Sequence, residues 1–234
     1  MSWKQRWSLV RMALGMRKFV QTGQWGDGRE AAAAAYVEAN ARRGDIDHVL
    51  ATIDTFAREQ SMLVNVGDEK GQLLESALIR ANPRRILELG TYCGYSALLM
   101  ARTAPDAHVF TVELSADNAE IARRVWTHAG VADRITSVVG TIGDGGATLD
   151  RLAGHGFGPG NLDFVFIDHD KAAYLKDLES ILARGWLHRG AVVVVVIADP
   201  QLEPVLLAID GPSLDLAVGG VEIKTVNRIG VVRT

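Results

Sequence analysis

The sequence predicts an α/β protein built on a doubly wound, mostly parallel sheet, with helices on both faces and an antiparallel edge strand. Three observations carry that expectation. From Arg85 onward, strand-like and helix-like patterns alternate along the chain. The strand-like runs are continuously apolar, as in parallel strands buried on both faces. The run Ile86-Leu87-Glu88-Leu89 stops at Gly90, turns through Thr91-Tyr92-Cys93-Gly94 and restarts as a helix at Tyr95. In such a unit glycines let backbone approach a ligand, and the free N–H groups of the helix start face it.

Composition sets the outer limits. A chain of 234 residues is long enough for one sizeable core. A formal charge of −3 gives no reason to expect nucleic acid as a partner. The single cysteine, Cys93, excludes an internal disulfide framework and a cysteine-based metal site, and suits a reducing compartment. No apolar run approaches the ~20 residues that span a bilayer, and the N-terminus lacks the apolar core of a secretory signal. A cytoplasmic location is the resulting expectation.

Taken in order, residues 1–28 read as a basic extension and linker, and 29–234 as the main domain. Residues 1–20 carry Lys4, Arg6, Arg11, Arg17 and Lys18 with no acid, while Trp3, Trp7, Val10 and Leu14 fall on one helical stripe. Such a helix can lie on an anionic membrane surface, or pack on the domain or on a second subunit. Packing is favoured, because Arg17 and Lys18 flank the stripe instead of opposing it. Gly23 to Gly28 reads as the linker. A helix then runs from about Arg29 through the alanines to near Gly44. Asp45 caps the next one, where Ile46, Val49, Leu50, Ile53 and Phe56 have amphipathic spacing. Asn65-Val66-Gly67-Asp68 is turn-rich, and a helix over 69–80 leads to Asn82-Pro83. Strands are predicted at 85–89, 108–112, 135–139, 163–167 and 191–197, and helices at 95–104, 116–129, 144–153, 171–184 and 201–209. Segments 221–226 and 230–232 can form the antiparallel edge pair.

Ligands of doubly wound sheets sit outside the carboxyl ends of the strands. At the first strand end, Tyr92 and Tyr95 stand where G-x-G-x-x-G would need glycines, which disfavours a pyrophosphate cradle. The second strand ends at Glu113, about twenty residues on, where an acid can hold both ribose hydroxyls. Together they predict an adenosine-type cofactor. The fourth strand ends at Asp168-His169-Asp170-Lys171. Aspartate oxygens suit Mg²⁺, and a lysine can act as general base when burial and nearby positive charge lower its pKa. A helix cap with a solvated lysine explains the same residues equally well. His169 alone reads as a packing or hydrogen-bonding residue. At the fifth strand end Asp199 can share a metal with Asp168 or cap the helix starting at Pro200, and the cap is slightly favoured.

These residues resemble catechol O-methyltransferase. The likeness is carried by Asn65-Val66-Gly67-Asp68 with Lys70-Gly71, Leu87-Glu88-Leu89-Gly90 with Tyr92-Cys93-Gly94-Tyr95-Ser96, then Glu113, then Asp168-His169 with Lys171. It runs from about Tyr36 to Val196. The resemblance implies the class I methyltransferase fold, S-adenosylmethionine as donor, and Mg²⁺-assisted methylation of a hydroxyl on a small phenolic or catechol-like acceptor. By the same resemblance, Val66, Gly90, Tyr92, Tyr95 and Ser96 surround the methionine part of the donor, and Glu88 lies beneath it. Glu113 holds the ribose, His169 lies near the adenine, Asp168 is a metal ligand contacting the donor side, and Lys171 is the base. Asp199 is the second metal ligand and Glu222 corresponds to an acceptor-orienting glutamate. The chain departs from the pattern at Pro200, where the family has asparagine, at Met62 and Asp170, where it has tryptophans, and at Ile142, where a polar residue is expected. These departures leave a second reading, a donor-binding protein with a degenerate metal site and a regulatory or partner-binding role.

Overall fold

The computed structural model describes residues 3–196, 222–226 and 229–233. The predicted helix at 201–209, the last residue of the predicted 191–197 strand, Asp199 and Pro200 all lie outside them.

The centre of the sheet is β1 (Arg85–Leu89), paired in parallel with β2 (His108–Glu113) on one side and β4 (Leu162–Ile167) on the other. β3 (Ile135–Val139) extends the β2 side and β5 (Leu187–Val196) the β4 side, also in parallel. Beyond β5, β7 (Ile229–Arg233) and then β6 (Glu222–Val226) run antiparallel, giving the order β3-β2-β1-β4-β5-β7-β6. Strand order reverses between β1 and β4, which opens a crevice at their carboxyl ends.

The pleat divides the apolar residues of each strand between two cores. Ile86, Val109, Ile135, Phe164 and Phe166 face one core with α2 (Arg29–Asn40), α3 (Ile46–Glu59), α4 (Gly67–Ala81), α5 (Tyr95–Thr103) and α6 (Ala116–Ala129). Leu87, Leu89, Phe110, Val112, Val165 and Ile167 face the other, beneath α7 (Ala147–Gly154) and α8 (Tyr174–Ala183). Burial on both faces is why the strand runs show no polar alternation.

Local polar chemistry shifts several predicted boundaries. α2 stops at Asn40 instead of near Gly44, because Arg42 N–H donates to His48 Nδ1 and Gly44 N–H to the His128 carbonyl. α7 starts at Ala147 instead of 144, since the Asp144 carboxylate accepts from Thr148 N–H and hydroxyl at the helix start. α8 begins at Tyr174 instead of 171. Asp170 accepts from the Ala172 and Ala173 N–H groups and holds Lys171 in a turn ahead of the helix. β5 begins at Leu187, four residues early, pairing with Leu162 across a register shift.

The N-terminal α1 (Trp3–Thr22) lies against this body. Ser8 is buried, its hydroxyl 3.1 Å from that of Ser61 and accepting from Met62 N–H. The stretch predicted as a linker holds buried Trp25, stacked on Phe19 at 4.4 Å. Buried Arg29 donates to Asp27, the Met62 carbonyl and the Ser8 carbonyl.

Gly94 carries the turn between β1 and α5 in the left-handed region (φ 82°), and its carbonyl accepts from Trp126 Nε1 at 2.9 Å. A Cβ there would sit 2.5 Å from that indole nitrogen and 2.8 Å from Ala122 Cβ. Gly94→Ala is therefore expected to destabilise the fold by about 1–3 kcal/mol, through overpacking and φ strain together. A lowered urea midpoint at unchanged slope checks it.

Candidate functional site

The carboxyl ends of β1, β2 and β4 are laced together by backbone. Gly90 N–H donates to the Val112 carbonyl, Asp168 N–H to the Leu89 carbonyl, and Gly140 N–H to the Glu113 carbonyl. Outside these ends lies a cavity of about 370 Å³, within the range of small-molecule sites. Gly90, Tyr92, Tyr95, Ser96 and Glu113 line it on one side, Val66 on another, and Asp168, His169 and Lys171 on a third. Glu88 is set apart from them, fully buried beneath the turn.

Gly90 (φ 98°) lets two loops meet, since a Cβ there would lie 2.8 Å from the Asp168 carbonyl oxygen. Tyr92 takes a left-handed conformation without being glycine (φ 48°). Two contacts hold it there: its N–H donates to Glu113 Oε2 at 2.9 Å and its hydroxyl to the buried carboxylate of Glu30 at 3.2 Å. Burial pushes the Tyr92 hydroxyl far above its ordinary pKa, so it remains a donor. Burial likewise pushes up the Cys93 thiol, which makes it inert packing.

Glu113 is the most connected group of the site. Its Oε2 also accepts from Thr91 N–H, and its Oε1 from Ser115 N–H at 2.9 Å and Asn118 Nδ2 at 3.3 Å. Burial raises its pKa despite these donors. One layer below, Glu88 accepts from the Ser96 and Thr111 hydroxyls, and Thr111 Oγ1 meets Thr91 Oγ1. Burial, aided by the nearby Asp168 and Glu113 carboxylates, raises Glu88 from 4.5 to about 7, while the two hydroxyls oppose the shift.

At the β4 end, Lys171 Nζ donates to Asp168 Oδ1 at 2.8 Å and to the Tyr174 hydroxyl, which in turn donates to the Val196 carbonyl at 3.2 Å. Burial also pushes the Tyr174 hydroxyl far up, so it stays protonated. His169 donates from Nε2 to Asp177 at 2.7 Å and stacks on Tyr174. His169 is thus a hydrogen-bonding and stacking residue on the cavity wall.

Mg²⁺ takes several oxygen ligands in near-octahedral geometry. Among the described residues no three His, Cys, Asp or Glu side chains converge on a metal position. Asp168 is already paired with Lys171. The described donor set therefore does not fit Mg²⁺ by itself. Asp199, its predicted partner, lies outside the described residues, and Glu222 is the first residue of β6.

Several contributors escaped the sequence reading. Met16, Phe19, Val20 and Gly23 bring the carboxyl end of α1 to the cavity wall. Asn118 accepts from Gln24 Nε2 and donates to the Gly23 carbonyl, tying that wall to Glu113. Asn118, Asp177 and Glu30 carry no motif. Tyr174 was legible in principle, three residues after Lys171 and so on the same side of a turn.

A family model described as O-methyltransferase matches residues 45–199. A probable O-methyltransferase of Mycobacterium tuberculosis is 66% identical over 183 residues, covering 78% of each chain. Catechol O-methyltransferase of Mus musculus is 35% identical over 203 residues, 85% of this chain and 73% of that one. Among solved structures, an O-methyltransferase from Bacillus cereus in complex with SAH superposes with a TM-score of 0.58 at 25% identity, covering 81% of this chain and 90% of the other. The O-methyltransferase TomG from Streptomyces achromogenes, in complex with SAM, gives 0.59 at 26% identity over 80% of this chain and 89% of its own.

The buried glutamate makes stability pH-dependent in a definite direction. Glu88 binds its proton more tightly folded (about 7) than unfolded (4.5). Its contribution is fully present below the unfolded value and is lost as pH rises through the folded one, at up to about 1.4 kcal/mol per pH unit between them. Glu88→Gln, neutral at every pH, is expected to flatten that part of the decline between pH 4.5 and 7. Urea midpoints of both proteins across the window check it.

Proposed function

The chain belongs to the O-methyltransferase family, and from that premise we propose that it methylates a hydroxyl of a small phenolic or catechol-like acceptor, with S-adenosylmethionine as donor. The observation that carries the reading is a juxtaposition. The glycine turn braced by Glu113 and the Lys171–Asp168 pair line one cavity. When bound, the donor supplies an electrophilic methyl group on a sulfonium. This chain's residues supply position and proton handling, and for an in-line displacement position is the larger part.

Gly90 lets the donor approach backbone, and Glu113 faces the cavity at the position where a ribose diol is bound in such sheets. Its carboxylate already accepts four protein hydrogen bonds, so holding a diol means exchanging some of them. Asp168 and Tyr174 fix the position of Lys171 Nζ. In this reading Nζ takes the acceptor's proton after its ammonium, paired with Asp168, has first given a proton to solvent. The apolar residues Val66, Val20 and Phe19 flank the cavity and suit an aromatic acceptor. Mg²⁺ assistance in this proposal depends on Asp199 reaching Asp168.

Titration calorimetry of donor into the wild type and Glu113→Ala tests the donor half. A roughly tenfold or greater loss of affinity is expected, the scale of losing a charged hydrogen bond. Unchanged affinity removes Glu113 from the site. Methyl transfer to a panel of aromatic diols and monophenols, with added Mg²⁺ and with EDTA, tests the acceptor half. Lys171→Met is expected to lower kcat by about 10²–10⁴ with donor affinity retained. Donor binding without turnover on any acceptor, in either metal condition, would favour the regulatory reading.

A further inference from the structure

The docking of α1 leaves an apolar face pointing away from the protein. The helix turns Ser8, Met12, Gly15 and Phe19 toward the body, where Ser8 is fully buried. On the opposite side Trp3, Trp7, Val10 and Leu14 follow at i, i+4, i+7 and i+11, a stripe about 16 Å long at 1.5 Å per residue. All four are exposed, Trp3 at 73% and Leu14 at 81%. At 100° per residue, Arg6 and Arg17 border the stripe on one flank, and Lys4, Arg11 and Lys18 on the other. All five cations are exposed, and the helix contains no acid. Arg11 reaches Asp27 at 3.4 Å and Lys4 donates to the neutral amide of Gln60, so the flanks keep a strong positive excess.

The basic residues border the apolar stripe instead of opposing it, which counts against a free amphipathic helix at a membrane. In the fold that objection falls away. The far side of α1 is occupied by protein and has no need to be polar. A tryptophan- and leucine-bearing stripe between two rows of lysine and arginine then matches a surface that is apolar beneath and anionic above. Among the described residues no helix is long and apolar enough to cross a membrane, so the contact lies in the plane of the surface. We propose that α1 seats on a bilayer with anionic headgroups, placing Trp3, Trp7, Val10 and Leu14 at the boundary between headgroups and acyl chains. A second copy of this chain suits the face less well, because symmetric pairing would bring two such cationic borders together.

The test uses the full chain and vesicles of phosphatidylcholine with or without phosphatidylglycerol. Co-sedimentation with the anionic vesicles, weakening steeply with salt, is expected. Brominated acyl chains are expected to quench tryptophan fluorescence, a readout specific to Trp3 and Trp7 because Trp25, Trp126 and Trp186 are buried. Trp3→Ala/Trp7→Ala/Leu14→Ser is expected to lower vesicle partitioning by about tenfold or more, with the thermal midpoint unchanged since these side chains are exposed. Absence of binding to anionic vesicles at low salt overturns the proposal, as does equal partitioning of wild type and variant. A dimer in light scattering that the same variant dissolves gives the face to a second copy, and also overturns it.

Discussion

A buried carboxylate must be met by donors, and buried backbone N–H groups must be met by acceptors. At the carboxyl end of β2 one side chain answers both demands. Glu113 collects the N–H groups of Thr91, Tyr92 and Ser115 and the amide of Asn118, filling the roughly four acceptor positions of a carboxylate. The first two belong to the turn after β1 and the third to the N-cap of α6. A single group thereby fixes two strand ends and a helix start relative to one another. Through Asn118 the same constraint passes to Gly23 and Gln24, and so to the carboxyl end of α1.

The turn held this way is conformationally expensive. Tyr92 sits in the left-handed region, and Gly94 is pressed against Trp126 and Ala122. Such geometry persists where surrounding bonds over-determine it, and here they do so from above and below. Glu30 holds the Tyr92 hydroxyl from one side. Beneath the turn, the Thr91, Thr111, Glu88 and Ser96 side chains form a buried polar chain. Glu113 and Asp168 lie close enough to Glu88 to raise its proton affinity. Asp168 pairs with Lys171, Glu113 is solvated by four neutral donors, and Glu88 holds its own proton more tightly. Three different solutions let three carboxyl groups share one strand-end region.

The parts of this arrangement that the sequence disclosed are those with a period or a spacing. Strands 85–89 and 135–139 and helix 116–129 match the observed bounds, marked in the sequence by short apolar-rich segments and an N-cap serine. Glu113 was legible from its distance past the glycine turn, and Lys171 from its place three residues after Asp168. The boundaries that moved were set by side chains reaching across the fold. His128, from α6, takes the Gly44 N–H, and a pairing with Leu162 draws Leu187 into β5. Glu30, Asn118 and Asp177 belong to the same class. Each acts through a partner distant in sequence or hidden from any motif, so their roles emerge only once the chain is folded.

α1 differs in kind from the other walls of the cavity. The β-strand ends are held by ladders and two apolar cores, whereas α1 is held by a handful of polar contacts around Ser8, Arg29 and Asn118, plus the Phe19–Trp25 stack. Hydrogen bonds contribute a net of about 1 kcal/mol each, far less than a core helix gains by burying its apolar face. Met16, Phe19 and Val20 form a wall of the cavity that comes from outside the sheet and its crossover helices. It is also the part that touches Tyr92, edge-on through Phe19 at 6.0 Å. The carboxyl end of α1 therefore meets the cavity at two points, through Phe19 on Tyr92 and through Gly23 and Asn118 on Glu113.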